Sequence, residues 1–144
     1  MKVLRRRAEQ VETLRRVPLF SNLSQKNLIA LARRLDRVNA VQGEVLAEEG
    51  RLGKEFFLIV EGSVAISHKG RTISTRSAGD FIGEMSLIDS QPRSATIIAL
   101  EDCDLLVMHR RDFSEMVDSI PGFARKLLAG LAGRLREANS KLVD

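Results

Sequence analysis

Gly79-Asp80-Phe81-Ile82-Gly83-Glu84-Met85-Ser86-Leu87-Ile88-Asp89-Ser90-Gln91-Pro92-Arg93-Ser94-Ala95-Thr96 is the segment that constrains the fold most strongly. Its first pair, Gly79-Asp80, predicts a turn, and residues 81–82 predict the end of a strand. Gly83 permits a backbone conformation or a close approach that a side chain would prevent. Residues 84–88 then suffice for one or two helical turns, so the segment predicts a strand, a tight turn and a short helix in succession.

The same segment contains residue types that suit a phosphate. The N–H groups at the start of a helix attract an anion, and Pro92 fixes the loop before Arg93. The planar guanidinium of Arg93 can bind a phosphate through two parallel hydrogen bonds, and Ser94 adds a hydroxyl and a backbone donor. Glu84 fits beside a phosphate if it accepts a hydrogen bond from a neighbouring sugar hydroxyl. The alternative is a surface ion pair between Glu84 and Arg93 next to a turn.

The sequence on both sides of this segment predicts short strands. Seven of the ten glycines fall between Gly43 and Gly83, separated by runs of β-branched and aromatic residues. Residues 56–60 are continuously apolar, residues 64–68 alternate with period two, and similar runs occupy residues 72–75, 96–100 and 105–108. Short strands joined by glycine turns favour an α+β fold, an antiparallel, jelly-roll-like β-roll flanked by N-terminal and C-terminal helices.

Helical periodicity marks the two ends of the chain. Leu4, Ala8 and Val11 predict an amphipathic helix over residues 1–16, closed by Pro18. Ser24 has the position of an N-cap for a second helix, whose buried stripe runs to residue 35. Near the other end, apolar residues between 113 and 120 predict a short helix that ends before Pro121.

The last predicted helix, residues 121–142, carries a heptad-like apolar pattern. Its apolar positions are Ala124, Leu128, Leu131, Leu135, Ala138 and Leu142. Such a seam serves two uses equally, packing on the protein's own sheet or pairing with a second copy in a dimer. Gly130 and Gly133 weaken the helix but allow another backbone to come close.

The residues from Gly83 to Ala95 resemble the phosphate-binding cassette of cyclic nucleotide-binding domains. This family includes catabolite activator proteins, regulatory subunits of cyclic-AMP-dependent protein kinase and cyclic-nucleotide-gated channels. The matching positions are Gly83-Glu84, Leu87 and Pro92-Arg93-Ser94-Ala95. The resemblance extends to Gly50 and residues 56–64, and covers roughly residues 17 to 140. After the helix predicted at residues 1–16, it implies a cyclic nucleotide-binding domain at residues 17–144, with residues 121–142 as its C-terminal lid or pairing helix.

The resemblance also implies a role for each cassette residue. Gly83 and Glu84 would bind the ribose, Arg93 would pair with the cyclic phosphate, and further donors would come from Met85, Ser86, Ser94 and Ala95. The purine pocket would be lined by Ile66, Ile73 and Ile82. Arg134 falls where some bacterial channel domains place a capping side chain, and Asn139 could reach the base edge. Ala138 stands where catabolite activators have a hydroxyl that contacts adenine, so that contact is absent here.

These implications predict a regulatory sensor that signals by rearranging its C-terminal helices. The expected ligand is cAMP, because Ser94 lacks the methyl group of the threonine that often accompanies a preference for cGMP; cGMP is the alternative. Two other interpretations stay open: an interaction domain of the same fold that binds no nucleotide, and the effector-binding part of a longer transcription regulator. A recognition helix is not expected before the chain ends at Asp144, so direct DNA binding is not expected of this chain.

Composition excludes several other classes of protein. The chain has 144 residues, of which 44% are hydrophobic, and a net charge of +4. No apolar run suits a membrane span or a signal peptide, so we expect a cytoplasmic protein. Cys103, His68 and His109 are too dispersed for a catalytic pair or a metal site, and no enzyme activity, metal or cofactor is expected. The downstream protein partner is unknown.

Overall fold

Two antiparallel sheets form the centre of the fold in a computed structural model, which describes residues 2–4 and 7–143. The first sheet has the strand order β1 (Lys2–Leu4), β2 (Asp36–Ala40), β9 (Cys103–His109), β4 (Glu55–Glu61) and β7 (Phe81–Ile82). The second has the order β3 (Val45–Ala47), β8 (Thr96–Ala99), β5 (Ser63–His68) and β6 (Arg71–Ser77). All paired strands in the described residues are antiparallel. The predicted α+β antiparallel β-roll flanked by helices is confirmed.

The apolar run at residues 56–60 lies in strand β4, which is covered on both faces. Its residues Phe56 and Leu58 pack into a cluster shared with the helices. Phe57 and Ile59 point to the opposite face, where they pack between the two sheets. Successive side chains of a strand point to opposite faces, so a strand covered on both sides must be apolar at every position. The run therefore joins both cores of the molecule.

The described residues contain five α-helices. They are α1 (Arg7–Arg15), α2 (Gln25–Ala32), α3 (Glu84–Asp89), α4 (Arg110–Ser119) and α5 (Pro121–Val143), and a short 3-10 helix spans Pro18–Phe20. The predicted N-cap of α2 is confirmed, because the Ser24 hydroxyl accepts a hydrogen bond from the Asn27 N–H at 3.1 Å. Within the described part, no helix has the length and apolar content needed to cross a bilayer.

The N-terminal segment differs from the predicted helix over residues 1–16. Residues Lys2–Leu4 form an edge strand, and the helix begins only at Arg7. Met1, Arg5 and Arg6 lie outside the described residues. The strand pairs with β2, whose edge would otherwise expose unpaired N–H and C=O groups.

Helix α5 packs on the protein along one face and exposes the other. Its buried residues are Phe123 and Leu127, and Leu131 is partly buried against the same core. Three further leucines of the helix, Leu128, Leu135 and Leu142, are exposed, with 67%, 62% and 85% of their surface accessible. Of the predicted seam, Leu131 therefore packs on the protein, whereas the exposed leucines recur every seven residues.

Candidate functional site

A cavity of about 500 Å³ lies between the second sheet, α3 and α5. Eleven of the twelve residues singled out from the sequence line it: Gly83, Glu84, Met85, Ser86, Arg93, Ser94, Ala95, Ile66, Ile73, Ile82 and Arg134. The twelfth, Asn139, is exposed on α5 and is not among the lining residues. The volume is in the range of small-molecule sites, so the fold gathers residues from distant parts of the sequence around one ligand-sized space.

Glu84 is a buried carboxylate at the first position of α3. The preceding residue, Gly83, has φ +87°, and a Cβ there would lie 2.9 Å from Arg93 Nη1 and 3.0 Å from the Glu55 carbonyl oxygen. This backbone places Glu84, only 4% exposed, at the cavity wall, where Arg134 Nη1 donates a hydrogen bond to its Oε1 at 3.1 Å. Burial raises the pKa of Glu84, against the opposing effects of its own backbone N–H and of Arg134.

Arg93 supplies a buried positive charge to the same wall. Its side chain is 9% exposed, its Nη2 donates to the Glu55 carbonyl at 2.8 Å, and its Nη1 donates to the Gly83 carbonyl at 3.4 Å. The guanidinium also lies 6.0 Å from the centre of the Phe57 ring. Burial lowers the pKa of Arg93, while Glu55 and Glu84 oppose that shift. Because backbone carbonyls fix the guanidinium, its charge is held at one place beside the cavity.

Arg134 connects α5 to the cavity wall. Its guanidinium lies 4.2 Å from the centre of the Phe81 ring, donates to the Phe81 carbonyl, and forms the ion pair with Glu84. Burial lowers the pKa of Arg134, with Glu84 opposing. The helix can approach this closely because Gly130 faces the same ring: a Cβ at Gly130 would lie 2.7 Å from two Phe81 ring atoms. One wall of the cavity is therefore part of the C-terminal helix.

A buried hydrogen-bond network supports the cassette from behind. The Ser86 hydroxyl donates to the Gln91 carbonyl at 2.6 Å and accepts from the Gly53 N–H at 2.8 Å. Arg110 donates from Nε to the Gly53 carbonyl at 2.9 Å and from Nη2 to the Ser86 carbonyl at 2.8 Å. The Ser86 hydroxyl therefore links the loop at Gln91 to Gly53, just before β4. The backbone N–H of Ser86 is the group that stays a predicted donor to the ligand.

The lining of the cavity includes residues that the sequence did not single out as binding residues. These are Ser74 and Arg76 on β6, Ile97 on β8, and Leu131 and Leu135 on α5. Period-two alternation places Ser74 and Arg76 on one face of β6, and this is the signal that could have identified them. A second, more open groove of about 550 Å³ shares Arg93 with the cavity, but its other lining residues come from positions 45–55.

Comparisons with known proteins identify the family. The family model for the cyclic nucleotide-binding domain matches residues 37–119, which is more than half of the chain. The chain belongs to the cyclic nucleotide-binding domain family.

Among its relatives, the cyclic AMP receptor protein of Thermus thermophilus is 35% identical over 130 residues, covering 87% of this chain and 60% of that protein. A cyclic nucleotide-gated potassium channel of Rhizobium etli is 36% identical over 111 residues, covering 77% of this chain and 31% of the channel. A solved cyclic nucleotide-binding domain from Methylobacillus flagellatus has a TM-score of 0.78 at 30% identity, covering 95% of this chain and 82% of that one. The chain thus spans less than two thirds of the length of these curated relatives.

Proposed function

We propose that this chain is a sensor of a cyclic purine nucleotide. The cyclic phosphate is bound by Arg93 with donors from Ser94 and Ala95, and the ribose hydroxyl is bound by Glu84. The base lies among the aliphatic residues of the cavity, against α5. Within the described residues, no group of three or more His, Cys, Asp and Glu side chains could hold a metal ion.

One observation carries this proposal: two buried charged groups, Glu84 and Arg93, open onto the same ligand-sized cavity. Burying a charge is costly unless it is paired, and the two side chains do not hydrogen-bond to each other: Glu84 pairs with Arg134, and Arg93 is held by backbone carbonyls. A cationic group and an anionic group held apart in this way match a ligand that carries a phosphate next to a hydroxyl.

The proposed ligand is cAMP, with cGMP as the alternative. Ser94 keeps a hydroxyl at the position after the cassette arginine but has no methyl group. Among the relatives, the Thermus thermophilus protein is named for cyclic AMP.

Signalling is proposed to pass through Arg134. The guanidinium of Arg134 holds α5 to Glu84 and to Phe81, so a ribose hydroxyl that binds Glu84 alters a contact of the C-terminal helix. A ligand can shift the equilibrium between two positions of α5 only if it binds one of them more tightly than the other. The expected consequence is a change in the exposure of α5 when nucleotide binds.

Calorimetric titration of the chain with cAMP and cGMP tests the proposed function. We expect saturable binding by the wild type. The substitution Arg93→Lys retains the charge but loses the planar pair of donors, and should weaken binding about tenfold or more. The matched control is Arg71→Lys on β6, which is exposed and does not line the cavity. Wild-type protein that is folded and binds neither nucleotide contradicts the proposal.

The exposed leucines of α5 support a homodimer as the state in which the sensor works. Leu128, Leu135 and Leu142 recur at heptad spacing, and a second copy would present the same stripe. Leu128 and Leu142 lie outside the cavity lining, to which Leu135 also contributes. Sedimentation equilibrium should show a dimer for the wild type and a monomer for Leu128→Glu. The control Val41→Glu places the same charge at another exposed apolar position and should remain dimeric. A monomeric wild type at high concentration contradicts the dimer.

A further inference from the structure

Glu49, in the loop after β3, joins three segments of the chain beside the cassette. Its carboxylate lies 3.0 Å from Nδ1 of His68, the last residue of β5, and accepts a hydrogen bond from the Lys69 N–H at 3.0 Å. Its backbone N–H donates to the Thr96 hydroxyl at 3.1 Å, where β8 begins. Glu49 therefore connects its own loop to the β5–β6 turn and to the start of β8.

The same histidine nitrogen reaches the cassette. His68 Nδ1 lies 3.1 Å from the Ser94 carbonyl oxygen as well as 3.0 Å from Glu49 Oε2. A carbonyl and a carboxylate accept hydrogen bonds and do not donate them, so Nδ1 satisfies both groups when it carries a proton. Glu49 thus holds the imidazole in the form that donates from Nδ1, because the partner of one ring nitrogen decides where the proton resides.

A hydrogen bond to the Ser94 carbonyl controls the orientation of a peptide group at the cavity wall. The peptide group between Ser94 and Ala95 is planar, so a carbonyl held by His68 directs the Ala95 N–H away from His68. Ser94 and Ala95 both line the cavity, whereas His68 does not. His68 therefore acts on the cavity through the backbone, without touching a ligand.

The residue before this peptide group is fixed independently. The Arg93 carbonyl accepts from the Gly50 N–H at 2.8 Å, and the Arg93 N–H donates to the Arg51 carbonyl at 2.8 Å. Among the described residues, His68 is the one hydrogen-bond donor to the Ser94 carbonyl. Loss of the His68 donor therefore frees the peptide group after Ser94 while the backbone of Arg93 stays in place.

Resting on the proposed function, we propose that His68 is a positioning residue of the nucleotide site, which orients the peptide group between Ser94 and Ala95 and is itself oriented by Glu49. This peptide group belongs to the proposed phosphate side of the site, which is common to all cyclic nucleotides. His68 therefore supports the binding of cAMP and of cGMP equally. It contributes one donor, so a neutral side chain with a donor at the same place can replace it.

Calorimetric titration of His68 variants with cAMP tests this assignment. His68→Leu removes the donor and should lower the affinity about three- to tenfold, the effect of one hydrogen bond. His68→Asn keeps a donor, because asparagine Nδ2 is attached to Cγ as histidine Nδ1 is, and should restore the affinity to within about twofold of the wild type. The matched control is His109→Leu, at the other histidine of the chain, which contacts Asp36 at 3.5 Å and lies outside the cavity lining. It should change the affinity by less than about twofold.

Two further comparisons separate positioning from a general structural role. The loss in His68→Leu should be equal for cAMP and cGMP. Adding Glu49→Ala to His68→Leu should cause little further loss, because Glu49 acts on the cassette through His68. Unchanged affinity in His68→Leu, a loss that His68→Asn does not recover, or a loss confined to one nucleotide overturns the assignment.

Nitrogen NMR of the imidazole ring tests the contact in wild-type protein without nucleotide, and covers the case in which His68→Leu does not fold. At alkaline pH, where imidazole is neutral, His68 should carry its proton on Nδ1. The chain has two histidines, so the spectrum of His109→Leu assigns the signals. A proton on Nε2 of His68 overturns the assignment while the proposed function stands. Wild-type protein that binds neither nucleotide overturns the proposed function as well.

Discussion

The contact between α5 and Phe81 is tested most sharply by two glycines of the same helix. Gly130 and Gly133 lie three residues apart, and both can be changed to alanine. A Cβ at Gly130 would lie 2.7 Å from two ring atoms of Phe81, whereas a Cβ at Gly133 would have nothing within 4 Å. The two substitutions therefore make the same change in helix propensity and differ in the packing of α5 on the sheet.

The magnitudes follow from these contacts. Glycine in a helix is about 1 kcal/mol less favourable than alanine, so Gly133→Ala should raise the free energy of unfolding by about that amount. At Gly130 the same gain is opposed by overpacking, which costs about 1–3 kcal/mol, because the ring of Phe81 is itself buried against Phe56. Gly130→Ala should thus be less stable than Gly133→Ala by about 1–3 kcal/mol.

Urea denaturation measures both free energies, and titration with cAMP measures the consequence for the site. Gly130→Ala should also weaken binding, because Arg134 stands one turn further along the displaced helix. Gly133→Ala should leave binding unchanged. If the two alanine variants are equally stable and bind equally well, α5 is not docked on Phe81 in solution, and the reasoning about Arg134 is wrong.

Three further predictions concern buried polar groups. Because the pKa of Glu84 is raised in the folded state, the folded protein binds a proton more readily than the unfolded chain above about pH 4.3. The stability of the wild type relative to Glu84→Gln should therefore fall as pH rises through the raised pKa and level off above it; a pH-independent difference in urea denaturation contradicts this. Arg134→Gln leaves Glu84 without its cationic partner and should cost about 1–3 kcal/mol in the same assay, against less than about 0.5 kcal/mol for the exposed Arg136→Gln. Gln10→Ala should cost about 1–2 kcal/mol, since the buried Gln10 amide donates to the carbonyls of Ala32 and Leu35 at 3.2 and 2.7 Å; an unchanged unfolding midpoint would show that these bonds contribute nothing.

The sequence predicted the β-roll because its strongest signals are local. The continuous apolar run at residues 56–60, the Gly83 turn and the Ser24 cap each reflect constraints that act within a few residues, and each has its counterpart in the fold. The short strand at Lys2–Leu4 could not be predicted in this way. It forms only because β2 offers an unpaired edge, which is a tertiary contact with residues far along the chain.

The residues of the cavity also divide into those that the sequence identified and those that it did not. The cassette residues were identified because they are close in sequence, and the structure places them around one space. Arg76 was not singled out because alternation places it on one face of β6 but does not show whether that face borders a cavity or bulk solvent. Asn139 was included on a resemblance alone, and the course of α5 leaves it exposed and outside the lining.

A structure of the chain in complex with cAMP tests the central claim most directly. The account predicts electron density for the nucleotide in the cavity, with the cyclic phosphate within hydrogen-bond distance of the Arg93 guanidinium and the ribose hydroxyl within the same reach of the Glu84 carboxylate. Nucleotide bound instead in the neighbouring groove at residues 45–55, or no bound nucleotide at saturating concentration, would contradict it.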